Sequence, residues 1–200
     1  MSNSPRPVVA VAFHSGYGHT AVLAEAVVRG ALSAGAEVIP IPVDTITEEQ
    51  WAQLDAADAI IFGSPTYMGT ASAAFHTFAQ ASTKRWYVQA WADKLAAGFT
   101  NSGAKAGDKS STLGYFMTMA AQHSMHWVSL GLQPGWASTT GSEFDINRLG
   151  FFAGAAAQSP ADAGPEAVHK SDIETAEHLG ARVARQAAVY RAGRAALAAA

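Results

Sequence analysis

The stretch from His14 to Thr20, HSGYGHT, concentrates residue types that suit an anion. It contains two glycines and two hydroxyl side chains, and it lies between an apolar run and a helical pattern. The first N–H groups of a helix have no intrahelical acceptor, and the helix dipole adds partial positive charge there. We therefore predict that this loop binds a phosphate.

Two later loops are also rich in small and hydroxyl residues. The segment GSPTYMG, residues 63–69, places an aromatic ring and a thioether directly after a strand pattern, and NSGAKAG, residues 101–107, offers a wall of small residues. Backbone N–H groups and an apolar edge of this kind suit a flat ring. A planar heterocycle between these two loops is the corresponding prediction.

Hydrophobic periodicity predicts alternating strands and helices that would hold these loops. The predicted strands cover residues 8–13, 37–42, 57–63, 95–101 and 126–132. The predicted helices cover residues 20–32, a short segment from about 47, residues 72–81, residues 111–123 and residues 171–194, the last one opening with a capping box at Ser171. The connections 82–93 and 133–170 are unusually long, which is typical of functional or flexible loops.

This element order predicts an α/β fold: a doubly wound, five-stranded parallel sheet with helices on both faces, in three α/β/α layers. Ligands of such sheets bind beyond the carboxyl ends of the strands, where all three loops lie. Phosphate at the first loop and a ring between the others is the arrangement of an FMN site in a flavodoxin-like domain. We expect one domain over residues 1–200, with a flexible N-terminus (1–7) and a flexible C-terminal tail (195–200).

Composition narrows the function classes. The net charge of −3 and the absence of a Lys/Arg run disfavour nucleic acid as a partner. The chain has no cysteine, so redox chemistry must belong to a bound cofactor. The N-terminal MSNSPRP is not a secretory signal and no long apolar segment follows, which predicts a cytoplasmic protein without membrane insertion. His123 and His126 have no third ligand nearby in sequence, so no metal site is predicted.

Several segments together resemble the WrbA family of FMN-dependent NAD(P)H:quinone oxidoreductases. They are FHSGYGHT, GSPTYMG with the following Phe75 and Phe78, the spacing from Trp86 to Lys94, the TNSG loop and AQHSM before the fifth predicted strand. These landmarks follow the family's order over about three quarters of the chain. The resemblance implies hydride transfer from NADH or NADPH through FMN to a quinone, in a homo-oligomer, dimer or tetramer, with active sites at subunit interfaces.

The same resemblance assigns roles to individual residues. FMN-binding residues would be Ser15, Gly16, Tyr17, Gly18, His19 and Thr20 in the first loop, Pro65, Thr66, Tyr67, Met68 and Gly69 in the second, and Asn101, Ser102, Gly103, Ala104 and Lys105 in the third. His123 would lie near the polar edge of the ring. Tyr17 would stand beside the nicotinamide, and Trp86 would cover the flavin pocket from a neighbouring subunit. No side chain is expected to act as a nucleophile.

The sequence also departs from the family pattern. Tyr67 and Met68 stand where Arg and Phe are usual, Lys105 interrupts a loop that is commonly richer in glycine, and Gln122-His123-Ser124-Met125 replaces His-His-Gly-Met. Residues 147–152 replace a Pro-Tyr-Gly-Ala segment. These differences concern the second substrate and the acceptor more than the phosphate.

Alternatives remain at this stage. The glycines of the first loop also suit a tight turn, Tyr67 and Met68 also suit loop packing, Trp86 suits a satellite core, Lys105 suits a solvated loop, and His123 suits a helix end. The chain as a whole is also compatible with a flavodoxin that carries electrons to a protein partner, with a flavodoxin fold that acts by association, or with an NAD-binding Rossmann domain whose GYGHTA is a loose fingerprint.

Overall fold

The computed structural model describes residues 6–199, so most of the N-terminus expected to be flexible lies outside the described residues. The strands are β1 (Val8–Phe13), β2 (Glu37–Pro42), β3 (Ala59–Tyr67), β4 (Thr70–Ala71), β5 (Leu95–Ser102), β6 (His126–Trp127) and β7 (Ala155–Gln158). The helices are α1 (His19–Ser33), α2 (Glu48–Ala56), α3 (Ala73–Ala81), α4 (Thr83–Tyr87), α5 (Lys109–Gln122) and α6 (Lys170–Ala198).

A twisted parallel sheet forms the middle layer, in the strand order β2-β1-β3-β5-β6. β1 pairs on both sides, with Val9 opposite Val38 of β2 and Ala59 of β3. Its residues 9–12 are fully buried, which explains why the run carries no polar residue. The parallel α/β architecture predicted from the alternating pattern is confirmed.

The predicted count of five strands is wrong, because the fifth position of the sheet is shared by two short strands. β6 pairs with the start of β5, with His126 opposite Leu95, and β7 pairs with its end, with Ala155 opposite Phe99. The chain leaves the sheet after Trp127, earlier than the predicted Leu132. β7 escaped prediction because alanine lacks β-branching; its small side chains are buried against α6 instead.

β3 runs four residues beyond its predicted end and forms a hairpin with β4. Thr66 pairs with Ala71 and Tyr67 with Thr70. The two turn residues, Met68 (φ 50°) and Gly69 (φ 84°), are both left-handed, as a tight hairpin turn requires. The hairpin therefore holds Tyr67 and Met68 above the carboxyl edge of the sheet.

Two helical layers cover the sheet. α1 and α6 pack closely on one face: a side chain at Gly30 would meet the Glu177 carbonyl oxygen at 1.8 Å, and one at Gly180 would meet that of Val27 at 2.0 Å. The other face carries a core beneath α2, α3 and α5 that mixes aliphatic residues with the aromatic residues Trp51, Phe62, Phe75, Phe78, Trp91 and Phe116. The three-layer prediction is confirmed.

α6 differs from its prediction at both ends. α6 begins at Lys170 with His169 as its N-cap, because the Ser171 hydroxyl donates to the Glu143 carbonyl oxygen instead of capping. The same helix continues to Ala198, four residues past its predicted end. The connection 82–93 contains the short helix α4. Over residues 6–199, no helix is both long and apolar enough to cross a bilayer.

Candidate functional site

The loops after β1, β3 and β5 meet around one cleft at the carboxyl edge of the sheet. Predicted residues that line this cleft are Tyr17, His19, Thr20, Pro65, Thr66, Tyr67, Asn101, Ser102 and Gly103. Ser15, Gly16, Gly18, Met68, Gly69, Ala104 and Lys105 belong to the same loops without lining its wall. None of the lining residues is acidic. The structure therefore brings together the three loops singled out in the sequence.

The first loop presents free backbone donors at the start of α1. Gly18 precedes the helix with φ 89° and no side-chain cap. The first helical bond joins the Val22 N–H to the Gly18 carbonyl oxygen, and the Ser15 hydroxyl accepts the Ala21 N–H at 3.0 Å. Among residues 6–199, the N–H groups of residues 16–20 have no protein acceptor. Five unpaired donors at and just before a helix N-terminus are the kind of donor set that suits an anion.

A loop after β7 covers this anion site. His19 Nε2 donates to the Ala163 carbonyl oxygen at 2.9 Å, which fixes the ring over the turn. A side chain at Gly18 would approach the Pro165 ring to 2.5 Å, so glycine is required by space as well as by its positive φ. Ser159, Pro160 and Ala161 of the same loop line the cleft. The sequence analysis did not predict that this loop lines the cleft.

The second loop is fixed by a chain of hydroxyl groups. The Thr100 hydroxyl donates to the Ser64 carbonyl oxygen at 2.7 Å, so it accepts from Thr66 at 2.8 Å. Thr66 in turn accepts from Thr112 of α5, also at 2.8 Å. Each hydroxyl has one proton, which gives the chain a single direction. The backbone at Thr66 is thus held firmly at the rim of the cleft.

Aromatic side chains stand at the mouth of the cleft. Tyr17 and Tyr67 pack edge to face with ring centroids 6.4 Å apart, and Tyr17 is 78% exposed. The Tyr67 hydroxyl lies 2.8 Å from where a side chain at Gly16 would begin, which links the first two loops. Partial burial, followed by the neighbouring Tyr17, raises the pKa of Tyr67, so its hydroxyl stays protonated. The mouth of the cleft therefore presents two aromatic rings, Tyr17 and Tyr67, at the surface.

The third loop is tied to the loop after β7. The Asn101 amide donates to the Ser159 hydroxyl at 2.9 Å, and that hydroxyl lies 3.1 Å from the Asn101 amide oxygen. Lys105 points outward, and its ammonium lies 5.2 Å from the centroid of the Trp136 ring. Ser159 follows β7 in a Ser-Pro dipeptide, which was the available sequence signal for a turn there. β7, the strand before Ser159, was not predicted because it consists mostly of alanine.

His123 and Trp86 lie away from the cleft. Both border a second cavity, and His123 stands at the end of α5, whose 14 residues span about 20 Å. The Ser82 hydroxyl donates to the Ala79 carbonyl oxygen, so His123 Nε2 donates to Ser82 at 2.9 Å. Burial lowers the pKa of His123 to about 4, and its Nδ1 has no partner within the described residues. Within one chain, the structure therefore does not bring His123 to the cleft where the ring is predicted.

Comparisons with known proteins agree with this geometry. The profile of a family described as NADPH-dependent FMN reductase matches residues 40–132. A curated flavodoxin, FldP from Pseudomonas aeruginosa, is 45% identical over 88% of this chain and 94% of its own length. A curated NAD(P)H dehydrogenase (quinone) from Rhizobium rhizogenes is 29% identical over 90% of this chain and 96% of its own.

A solved structure is similar over almost the whole fold. It is described as a flavodoxin, WrbA-like protein, from Agrobacterium tumefaciens. It is 42% identical in sequence, with a TM-score of 0.73, and the match covers 92% of this chain and 99% of the other.

Proposed function

The chain belongs to the WrbA-like FMN proteins of the flavodoxin fold, and from this premise we propose that it transfers hydride from NADH or NADPH through FMN to a quinone. The observation that carries the proposal is the set of unpaired N–H groups over residues 16–20. A ribityl phosphate matches this donor set in charge and geometry. Thr20, which is buried at the base of the loop, would contribute its hydroxyl.

The remaining walls suit the rest of the cofactor. Asn101, Ser102 and Gly103 would line the ribityl chain and pyrimidine, and Thr66 with Tyr67 would border the ring. FMN supplies a ring that accepts hydride from a nicotinamide and gives two electrons to a quinone. Small residues in the third loop let the backbone approach a ring closely. The cofactor therefore fits the residues present.

The chain's own residues act by position rather than by covalent chemistry. The hydroxyl chain from Thr112 to Ser64 holds the Thr66 backbone at the rim of the cleft, where it would border the ring without needing to move during turnover. Tyr17 and Tyr67 form an apolar wall on which a nicotinamide and then a quinone would stack in turn. The loop after β7, which contacts His19 and packs Pro165 against Gly18, would shield the phosphate from solvent.

A homo-oligomer with shared active sites is part of this proposal. Trp86 is 45% exposed and Tyr87 is 82% exposed, at the end of the molecule remote from the cleft. A contact of Trp86 with the ring would therefore have to come from another copy. A dimer or tetramer that sets this edge of one subunit against the cleft of its neighbour would satisfy the Trp86 assignment, whereas His123 is only 3% exposed and would not reach the neighbour's ring.

The second candidate is an FMN electron carrier that serves a protein partner. It is favoured by the name of the flavodoxin from Pseudomonas aeruginosa, at 45% identity. It is disfavoured by the cleft itself, because acidic side chains that would attract a basic partner are absent from its lining residues. The two functions differ in whether a nicotinamide reduces the bound cofactor directly.

The deciding experiment is an anaerobic absorbance titration of protein supplied with FMN and cleared of excess. We expect a flavin absorbance band at about 450 nm that NADH or NADPH bleaches and benzoquinone restores. Retained FMN that neither nicotinamide reduces would select the electron carrier. Failure to retain FMN would reject both, and an NAD-loaded protein would select the Rossmann alternative.

A further inference from the structure

Lys109 is a fully buried lysine that the proposed mechanism does not use. It is the first residue of α5, and its side chain folds back beneath the third loop, residues 102–108. Its Nζ donates to the carbonyl oxygens of Ala104 at 2.5 Å and Lys105 at 3.0 Å, with Ala106 at 3.4 Å. One ammonium has three protons, which matches three converging carbonyl groups.

These contacts determine which way the loop's N–H groups point. In a trans peptide the carbonyl of one residue and the N–H of the next point in opposite directions, and the described chain has no cis peptide. Three carbonyls aimed at Nζ therefore turn the N–H groups of Lys105, Ala106 and Gly107 away from the core. None of the three has a protein acceptor over residues 6–199. The loop offers them outward.

The loop needs such an anchor because its backbone is strained. Gly107 (φ 51°) and Asp108 (φ 53°) are consecutive left-handed residues, and a side chain at Gly107 would lie 2.1 Å from the Ser102 hydroxyl. Conformations of this kind persist only when surrounding contacts determine them. The Ser102 hydroxyl donates to the Ala104 carbonyl oxygen at 3.2 Å, and the Gln158 amide donates to the Gly103 carbonyl oxygen at 2.9 Å. Lys109 holds the carbonyl groups of residues 104–106.

Lys109 also contributes a buried positive charge that no carboxylate neutralises within the group it forms with the nearby Arg148 and Asp172. Asp172 and Arg148 form a buried, bidentate ion pair, with 2.8 Å for each bond, and Asp172 also accepts the Gln158 N–H from β7. Arg148 thus already neutralises Asp172. Burial lowers the pKa of Lys109 to about 8 while Asp172 opposes that shift, so the ammonium is retained at neutral pH. The three side chains together carry one net positive charge.

We propose that Lys109 is a positioning residue for the flavin ring, acting by holding the loop beside the cleft with the N–H groups of residues 105–107 free of protein acceptors and by favouring negative charge there. The inference rests on the proposed function, since it takes FMN as the ligand. It concerns the ring rather than the phosphate. Lys109 therefore affects FMN and riboflavin alike, whereas the first loop acts on FMN alone.

Lys94 offers a matched control. Its Nζ also donates to two carbonyl oxygens, of Asp55 at 2.8 Å and Ala57 at 2.5 Å, and burial also lowers its pKa. It precedes β5, so it lies at the opposite edge of the sheet from the cleft. Replacing either lysine with methionine removes the same chemical group. Only Lys109 lies beneath a loop that borders the cleft.

The experiment titrates FMN and riboflavin into wild-type apoprotein and the Lys109→Met and Lys94→Met variants, following flavin fluorescence. We expect Lys109→Met to raise the Kd of both flavins about tenfold or more, and Lys94→Met to change neither by more than about twofold. Amide hydrogen exchange of the apoproteins is the second readout. Exchange over residues 102–108 should accelerate in Lys109→Met alone, and the reduction potential of its bound FMN should fall.

Equal flavin affinities in wild type and Lys109→Met would overturn the inference, as would an equal loss in Lys94→Met. If Lys109→Met does not fold, Lys109→Gln, which keeps two amide donors but no charge, is compared with Lys94→Gln by the same criteria. Wild-type protein that binds neither flavin would overturn the proposed function instead. Loop exchange in the apoproteins would still decide whether Lys109 orders residues 102–108.

Discussion

The two edges of the sheet use polar groups in opposite ways. At the carboxyl edge, the first and third loops leave backbone N–H groups without acceptors among residues 6–199. At the amino edge, lysine and histidine side chains form hydrogen bonds within the protein: Lys94 donates to two carbonyl oxygens and His123 donates to Ser82. One edge keeps its donors available for a ligand, and the other uses them to hold the chain together.

Helix direction explains this difference. Parallel strands require each connecting helix to run back across the sheet, so α1 and α5 begin at the carboxyl edge and end at the amino edge. Helix N-termini expose N–H groups and partial positive charge, whereas C-termini expose carbonyl groups. Anion binding therefore belongs to one edge for reasons of topology. Substitutions at the two edges should separate cofactor binding from stability.

The largest effect is expected at the base of the first loop. Thr20→Glu places a negative charge among the proposed phosphate donors, and juxtaposed like charges should weaken FMN binding by about a thousandfold, ~4 kcal/mol. Fluorescence titration with FMN measures it, and Thr77→Glu on the exposed face of α3 is the control. A Thr20→Glu protein that copurifies with a full complement of FMN would contradict the phosphate assignment.

At the amino edge, a fall in pH should lower the free energy of unfolding because of His123. Its pKa falls from 6.5 to about 4 on folding, so the unfolded state binds a proton that the folded state excludes between those values. The free energy of unfolding should drop by up to about 3 kcal/mol as the pH falls from 7 to 4. His123→Gln should flatten that part of the profile in urea unfolding. Parallel profiles for both proteins would mean that His123 does not report the acid transition.

An intermediate effect is expected where the loop after β7 meets β5. Ser159→Ala removes the hydroxyl that pairs with the buried Asn101 amide, which should cost about 1–2 kcal/mol in stability. FMN affinity should weaken with it, since the wall of the cleft loses its tie. Ser138→Ala, at an exposed serine outside the cleft, should change neither quantity. Equal melting temperatures for the two variants would show that the tie is not stabilising.

The smallest effect is expected at Trp86, at the amino edge, where a substitution should change quinone turnover but not cofactor binding. Trp86→Ala should lower quinone turnover by about threefold, below ~1 kcal/mol in barrier, with FMN content unchanged. Tyr87→Ala is the control, since Tyr87 is more exposed and does not border the second cavity. Steady-state kinetics with benzoquinone gives the answer. Unchanged turnover would make Trp86 a structural residue.

Prediction from the sequence was correct for elements that are specified by residues adjacent in the chain. The run Val8–Phe13 and the glycine turn after it are specified by neighbouring residues, so β1 and the first loop were found. β7 was missed because its alanines are selected by close packing against α6, which leaves no strand pattern. The capping box at Ser171 failed because a distant partner, Glu143, takes the hydroxyl.

The sequence by itself determined the α/β class, the order of the main strands and the three loops that follow β1, β3 and β5, since these depend on periodicity and on residues adjacent in the chain. Only the tertiary structure decided that Ser159–Ala161 closes the cleft, that Lys109 lies under the third loop and that His123 lies at the far edge. Those facts depend on contacts between segments far apart in sequence, such as Asn101 with Ser159, and no local pattern encodes which distant residues will meet.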